Sequence, residues 1–266
     1  MKKISLIALF AIVLVSFTYN GDSSKKGLLK GEEVTVHNGK GWAWTKINKK
    51  GAPEQIGFTL TDDALNSVPV PSGSAQTGSG HDAHGGGHEY WVAKFNPVAG
   101  AVIPFNFVLL NWNPYGHPPA NIYDKPHFDF HFYSQTPEEV MAIGTYEVDS
   151  LKFNNVPQPD YFPVKYVNTG HSIPQMGSHW VDATSSELNG KPFTETFIYG
   201  SFNGEVTFYE PMITLEFLKN QKKYERAIPV PAKFQETGWY PTSMKVVKHD
   251  GQTDVILDKF VYRQKS

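Results

Sequence analysis

Alternation of polar and apolar side chains is clearest over residues 126–133, Pro-His-Phe-Asp-Phe-His-Phe-Tyr. Read with a period of two, His127, Asp129 and His131 share one face, and three phenylalanines share the other. Aromatic residues at this density favour a strand over a helix, and the alternation fits a strand with one polar and one apolar face. A solvated face would normally carry Lys, Thr or Glu. The sequence therefore predicts that the polar face lines an enclosed cavity.

Short strands joined by tight turns account for most of the chain after residue 32. Asn38-Gly39, Asn203-Gly204 and Asp250-Gly251 are dipeptides typical of two-residue hairpin turns. A single helical turn is predicted at 61–65, and a second short helix begins after Thr136, which would cap it. Strands are predicted at 34–37, 42–47, 56–60, 90–95, 105–112, 127–133, 193–202 and 205–210, with more between 224 and 262.

This arrangement predicts an all-β fold, either an antiparallel β-barrel or a barrel-like sandwich, with one or two short helices. No internal repeat and no linker divides the chain, so residues 32–266 are predicted to form a single β-barrel-like domain. Its most irregular segment is the loop 69–88, which is rich in Gly and His. Residues 21–31, polar and rich in Lys and Gly, are predicted to be a flexible leader.

The N-terminus has the pattern of a secretory signal peptide, predicted over residues 1–20. Met1-Lys2-Lys3 is basic, and an uncharged, mostly apolar run follows as far as Phe17. That run is shorter than the roughly 20 residues that a membrane-spanning helix needs. We therefore expect an exported protein, periplasmic or extracellular, with no stable membrane span after processing. The chain contains no cysteine, so disulfides do not contribute to its stability.

Charge and composition exclude some partners and reactions. A net charge of −2 gives no electrostatic basis for nucleic-acid binding. Charged residues make up 19% of the chain and aromatic residues 14%, a balance that suits a sheet-rich protein with aromatic-lined interiors. The sequence has no Gly-x-Ser-x-Gly, no phosphate-binding loop and no dinucleotide fingerprint, so nucleophilic and nucleotide chemistry are not supported.

Metal binding is the chemistry that the polar face of residues 126–133 suggests. An ion needs several imidazoles or carboxylates that converge to within about 2 Å of it. Residues two apart on a strand are separated by roughly 6.6 Å, so His127 with Asp129, or Asp129 with His131, can chelate. His127 and His131 are roughly 13 Å apart, at the limit for sharing one ion. Either one pair chelates while the third residue supports it, or Asp129 orients both imidazoles.

Further ligands must come from other segments. His117 lies in a proline-braced loop, His179 follows Gly-Ser, and Glu210 ends the clearest hairpin. Such a set suits Zn, Fe, Mn or Cu. Copper remains a candidate because Met176, a possible copper ligand, is near His179. The predicted metal ligands are His117, His127, His131 and His179, and the predicted catalytic groups, which would orient ligands or act as a base, are Asp129 and Glu210.

Two metal-free alternatives remain for these residues: a polar pocket for a small ligand, or a satisfied hydrogen-bond network. The other histidines are predicted to lie outside the site. The loop 69–88 contains three of them, but ordering a glycine-rich loop around an ion costs backbone entropy, so a mobile polar loop is favoured. These other histidines are His37, His81, His84, His88, His171 and His249.

Three segments together resemble a known family. They are residues 116–119 leading into 126–133, Pro174-x-Met176-Gly177-x-His179-x-x-Asp182, and residues 197–204 running on to 208–214. They are similar to a family of exported bacterial β-proteins of unassigned function, whose structurally known member forms a ring-shaped decamer. The resemblance covers roughly residues 89–218, about half the chain, and implies a barrel-like all-β fold and a homo-oligomer, but no activity. If the shared polar residues form one site, the matching positions are His117, His127, Asp129, His131, His179 and Glu210.

These observations predict an exported β-barrel protein whose buried His/Asp/Glu site binds a transition metal and a small molecule. The enzyme version uses a metal-activated water or a metal-bound substrate that enters an aromatic-lined barrel mouth. The alternative is a non-catalytic, ring-forming envelope protein that binds a ligand or a metal. An open coordination position facing a pocket favours the enzyme, whereas a fully coordinated ion favours storage.

Overall fold

The computed structural model of the protein describes residues 27–70 and 89–266. The predicted signal peptide, residues 1–20, and His81, His84 and His88 lie outside these ranges. The strands are β1 (Leu28–Val36), β2 (Gly39–Ile47), β3 (Pro53–Thr61), β4 (Glu89–Lys94), β5 (Phe107–Asn113), β6 (His127–Tyr133), β7 (Tyr166–Ile173), β8 (Gly177–Asp182), β9 (Glu195–Phe202), β10 (Glu205–Thr214), β11 (Lys223–Ala227), β12 (Gly238–Tyr240), β13 (Ser243–His249), β14 (Gln252–Asp258) and β15 (Val261–Arg263). The α-helices are α1 (Asp62–Ser67), α2 (Pro137–Met141), α3 (Tyr146–Asn154) and α4 (Leu215–Asn220).

Two antiparallel sheets pack face to face, and β12 pairs with β15 as a small third sheet. The first sheet has the strand order β1-β2-β3-β14-β13-β11, and the second has the order β4-β5-β6-β10-β9-β8-β7. Each large sheet keeps two edge strands, so neither closes into a barrel within the described residues. The all-β prediction is confirmed in its sandwich form, and the strands described here form no closed barrel.

Strand β6 is central in the second sheet, between β5 and β10. Phe128, Phe130 and Phe132 are fully buried in the main core, where the two large sheets meet. Phe130 makes an edge-to-face contact with Phe58 of the first sheet, with 5.9 Å between ring centroids. The predicted division of this strand into an apolar and a polar face is therefore confirmed.

The polar face of β6 points away from the main core. Loops and helices, rather than another sheet, cover this side of the second sheet. His127, Asp129 and His131 are nevertheless buried, as predicted for an enclosed face. The site therefore lies outside the sandwich core, not in the interior of a barrel.

Two hairpin turns have the predicted residues and one is shifted. Asn203-Gly204 and Asp250-Gly251 connect their strands with positive φ at both positions, as a type I′ turn requires. In the first hairpin Val36 pairs with Gly39, so the turn residues are His37-Asn38 instead of Asn38-Gly39. A Cβ on Gly39 would overlap the backbone of α1, so this glycine serves close contact with the helix.

Strand β1 and helix α3 differ from the prediction. Strand β1 begins at Leu28, inside the segment 21–31 that was predicted to be a flexible leader, because its first residues pair with β2. An irregularity in register between Lys30 and Glu33 hides the alternation. Helix α3 was not predicted, since Val148 and Leu151 face solvent and leave no apolar stripe. Helix α4 was also missed, so the described helices number four rather than one or two.

A glycine in β9 makes room for an aromatic ring beside the polar face. Gly200 pairs with Phe208 of β10, and a Cβ at Gly200 would overlap the Phe208 ring. That ring makes edge-to-face contacts with His131 and His179, with centroid separations of 4.9 and 5.2 Å. Gly200 thereby allows Phe208 to hold two histidines in position.

We expect Gly200→Ala to lower the free energy of unfolding by about 1–3 kcal/mol, since the added methyl displaces a ring in a closely filled core. Urea denaturation followed by tryptophan fluorescence measures this change. Gly100→Ala is the matched control, because a Cβ there would meet no atom within 4 Å. Equal stability of the two variants would contradict the role given to Gly200.

Candidate metal centre

The six predicted site residues share one face of the second sheet, but they form two groups. The prediction of a single site is therefore wrong, and the separation of roughly 13 Å between His127 and His131, four residues apart on β6, accounts for the division. Each group has two histidines and one carboxylate, with one ligand atom of each residue within 4.8 Å of the others. The first triad is His117, His127 and Asp129, and the second triad is His131, His179 and Glu210.

Strand β6 and the loop before it form the first triad. His127 and Asp129 are two residues apart on β6, so their side chains reach the same face, and His117 comes from the loop. Nδ1 of His127 lies 2.6 Å from the carbonyl oxygen of Lys125, which can only accept, so we assign the proton of the neutral ring to Nδ1. Nε2 of His127 then presents its lone pair to Oδ1 of Asp129 at 3.1 Å. Nε2 of His117 lies 3.7 Å from Oδ2 of the same carboxylate.

One asparagine of β5 supports the first triad and a second lies beside it, and the sequence analysis missed both. The side-chain amide of Asn113 donates a hydrogen bond of 2.7 Å to Oδ2 of Asp129. Asn111 pairs directly with Asp129 across the sheet and is also buried. The signal in the sequence was two polar residues two apart, in an otherwise apolar strand. Read with a period of two, they share a face just as the residues of β6 do.

Three strands contribute one residue each to the second triad. His131 comes from β6, His179 from β8 and Glu210 from β10. Oε2 of Glu210 lies 3.3 Å from Nε2 of His131 and 3.7 Å from Nε2 of His179. The antiparallel register of β10 with β6 places Glu210 beside His131. Because all three residues stand on paired strands, the backbone holds them at fixed separations.

Several buried polar atoms of the triads have no hydrogen-bond partner among the described residues. A satisfied hydrogen-bond network, one of the alternatives from the sequence, should leave none, because each such atom costs about 1–3 kcal/mol. Buried polar atoms that face one another without a hydrogen bond are instead characteristic of ligands that surround a cation. The atoms are Nε2 of His127, Oδ1 of Asp129, Nδ1 and Nε2 of His131, and Oε2 of Glu210.

The spacing of the ligand atoms fits a transition metal. Two ligands bonded at about 2.1 Å to a tetrahedral ion lie about 3.4 Å from each other. The four nitrogen–oxygen separations within the triads range from 3.1 to 3.7 Å. The two triads therefore could each hold a divalent ion, and imidazole with carboxylate suits Zn, Fe, Mn or Cu.

The two carboxylates have opposite electrostatic surroundings. Burial raises the pKa of Asp129, but the positive charge that His127 and His117 carry when they are protonated outweighs burial and holds the pKa below its usual range. Burial and the charge of Asp129 together hold the pKa of Glu210 well above its ordinary value. Burial lowers the pKa of His131 to about 4, so this ring is neutral near pH 7 and can bind an ion through a lone pair.

Both triads open onto one cavity of about 420 Å³. Five of the six triad residues, all except His127, line this cavity, and we call this part of the lining its floor. The walls are mainly aliphatic and proline side chains, so the prediction of an aromatic-lined barrel mouth is wrong on both counts. The segment after β5 and the strands β8–β10 supply most of these side chains. They include Pro118, Pro119, Met176, Val181, Leu188 and Ile198.

The three described histidines outside the triads have different surroundings. His37 lies 3.1 Å from the carboxylate of Glu89, and His249 lies 2.8 Å from that of Asp254 in the first sheet. His171 lines the cavity but belongs to neither triad. His37 and His249 therefore lie outside the candidate site, whereas His171, which was predicted to lie outside it, borders the cavity.

We expect Glu210→Gln to raise the thermal stability of metal-free protein by about 1–3 kcal/mol, because a neutral amide replaces a buried carboxyl group whose Oε2 lacks a hydrogen-bond partner. Thermal unfolding of chelator-treated protein measures the effect. Glu195→Gln is the matched control in β9, and it should lower stability, since Tyr224 and Arg226 both donate to that carboxylate. A loss of stability in both variants would contradict the assignment of Glu210 as an unpartnered acid.

Comparison with protein-family models, curated proteins and solved structures finds no match to this chain. The resemblance to a ring-forming family therefore stays a prediction. Among the described residues, no helix is both long and apolar enough to cross a membrane. The geometry of the triads and of their cavity is thus the basis on which a function is assigned.

Proposed function

We propose that this protein is exported and binds a divalent transition metal ion in each triad, next to a cavity that receives a small molecule. The observation that carries the proposal is the pair of triads, each with two histidines and one carboxylate at ligand spacing. Three protein ligands leave at least one coordination position of an ion open. Because both triads border the cavity, such a position would face a molecule bound there.

The open position favours metal-dependent chemistry over storage. A bound ion would polarise a substrate oxygen or lower the pKa of a water molecule. Asp129 and Glu210 would then act as ligands, which replaces the role of separate base that the sequence suggested. Asn113 would hold Asp129 in its binding orientation through the 2.7 Å hydrogen bond. His127 would bind through Nε2, because the Lys125 carbonyl keeps the ring proton on Nδ1.

A non-catalytic, ring-forming envelope protein was the alternative. A protein that only assembles into a ring has no need of histidines that converge on a carboxylate, or of buried polar atoms without hydrogen bonds. A storage site would also be expected to surround its ion completely, whereas these triads border a cavity. Both observations support a metal site that exchanges ligands with the cavity. The class of reaction is left open in this proposal.

We expect tag-free protein, loaded with zinc and then dialysed, to contain two ions per chain by elemental analysis. His117→Ala and His179→Ala should each remove one ion, and the double variant should remove both. These two histidines are chosen because their side chains are 17% and 14% exposed, so truncation disturbs the core less than at the fully buried His127 or His131.

His249→Ala is the control for this series, because it removes a histidine from the first sheet and should leave the metal content unchanged. Circular dichroism should show the same fold in all variants. If His117→Ala and His179→Ala retain as much metal as His249→Ala, the triads are not the binding sites.

A further inference from the structure

We infer, building on the two proposed metal sites, that the cavity binds an amphiphilic anion: a small molecule with an apolar body and one negatively charged head group, such as a carboxylate. Two features of the cavity lead to this class of ligand. Its walls are apolar, and its floor would carry excess positive charge when both triads hold ions.

The walls determine the body of the ligand. Val181, Leu188 and Ile198 present aliphatic side chains to the cavity, and Pro118 and Met176 add further apolar surface. Burying apolar surface against such walls contributes about 25 cal/mol per Å². The volume of about 420 Å³ lies within the range of roughly 300–1,000 Å³ that small-molecule sites occupy. A small hydrocarbon body therefore suits the space above the floor.

The floor determines the charge of the head group. Of the described residues that line the cavity, none is a lysine or an arginine, and the acids are Asp129 and Glu210 alone. Two divalent ions would therefore meet only two carboxylates, and a charge of plus two would remain in a buried, largely apolar space. Excess charge in such surroundings is costly unless an opposite charge accompanies it. A head group with a negative charge reduces that excess and can fill an open coordination position.

The same reasoning makes the preference depend on the ion of the first triad. With the second triad alone filled, Glu210 is ionised as a ligand, and the charge of a single divalent ion is balanced by the two carboxylates, Asp129 and Glu210. The floor is then neutral overall and has no reason to select an anion over a neutral alcohol of the same length. Selection for the anion should thus be lost when the first triad is empty.

The test is isothermal titration calorimetry of zinc-loaded wild-type protein with octanoate, octan-1-ol and acetate, after the metal content has been measured. Octanoate should bind about tenfold or more tightly than octan-1-ol, a difference of roughly 1.4 kcal/mol, and acetate should bind weakly because it lacks the body. In His117→Ala, which keeps an ion in the second triad alone, the advantage of octanoate over octan-1-ol should disappear.

Leu188→Glu tests the walls separately, since it adds a negative charge to the cavity lining without touching a triad. It should weaken octanoate binding about tenfold or more while leaving two ions in place. Val164→Glu is the matched control, because Val164 is 99% exposed and is not among the lining residues. It should bind octanoate as the wild type does.

The outcomes separate this inference from the proposed function. If the protein binds no metal, the proposed function fails and the inference fails with it. If two ions are bound but octanoate and octan-1-ol bind equally, or neither binds, the inference is overturned while the metal sites stand. Equal octanoate binding by Leu188→Glu and Val164→Glu would likewise overturn the placement of the ligand in this cavity.

Discussion

The burial of both faces of strand β6 is the constraint on which the rest of the structure depends. Every residue from His127 to Tyr133 is buried, although the strand carries two histidines and an aspartate. One face is stabilised by phenylalanines that join the two large sheets. The strand cannot shift by one residue, because that would place His and Asp side chains in the main core and Phe side chains among the triads. The apolar face therefore determines the register that brings the ligands together.

Neighbouring residues keep the ligand atoms in place at a cost in stability. Asn113 holds Asp129 by a hydrogen bond, and the carbonyl group of Lys125 sets the tautomer of His127. Phe208 makes edge-to-face contacts with His131 and His179. A protein optimised for stability alone would carry apolar side chains in place of the buried triad atoms that lack hydrogen-bond partners. Their presence on rigid, paired strands is the arrangement expected where binding requires ligands that are positioned in advance.

Local patterns carried most of what the sequence could predict. The alternation around Phe130 identified the strand, its two faces and three of the site residues, because a period of two follows directly from strand geometry. The division into two triads could not be read in the same way, since His179 and Glu210 come from strands whose register with β6 is a tertiary property. Helix α3 escaped prediction for a different reason: Val148 and Leu151 are exposed, so its sequence lacks the apolar periodicity that reveals a helix.

The two triads are close enough to influence each other. Asp129 and His131 are adjacent positions on one face of β6, and their backbone positions are roughly 6.6 Å apart. The triads are electrostatically coupled, because the charge of Asp129 helps to raise the pKa of Glu210 and favours the neutral acid there. A cation bound at the first triad would offset that charge and so change the surroundings of the second. The shared strand and the shared cavity thus make the six residues one candidate site with two positions that could each hold an ion, rather than two unrelated sites.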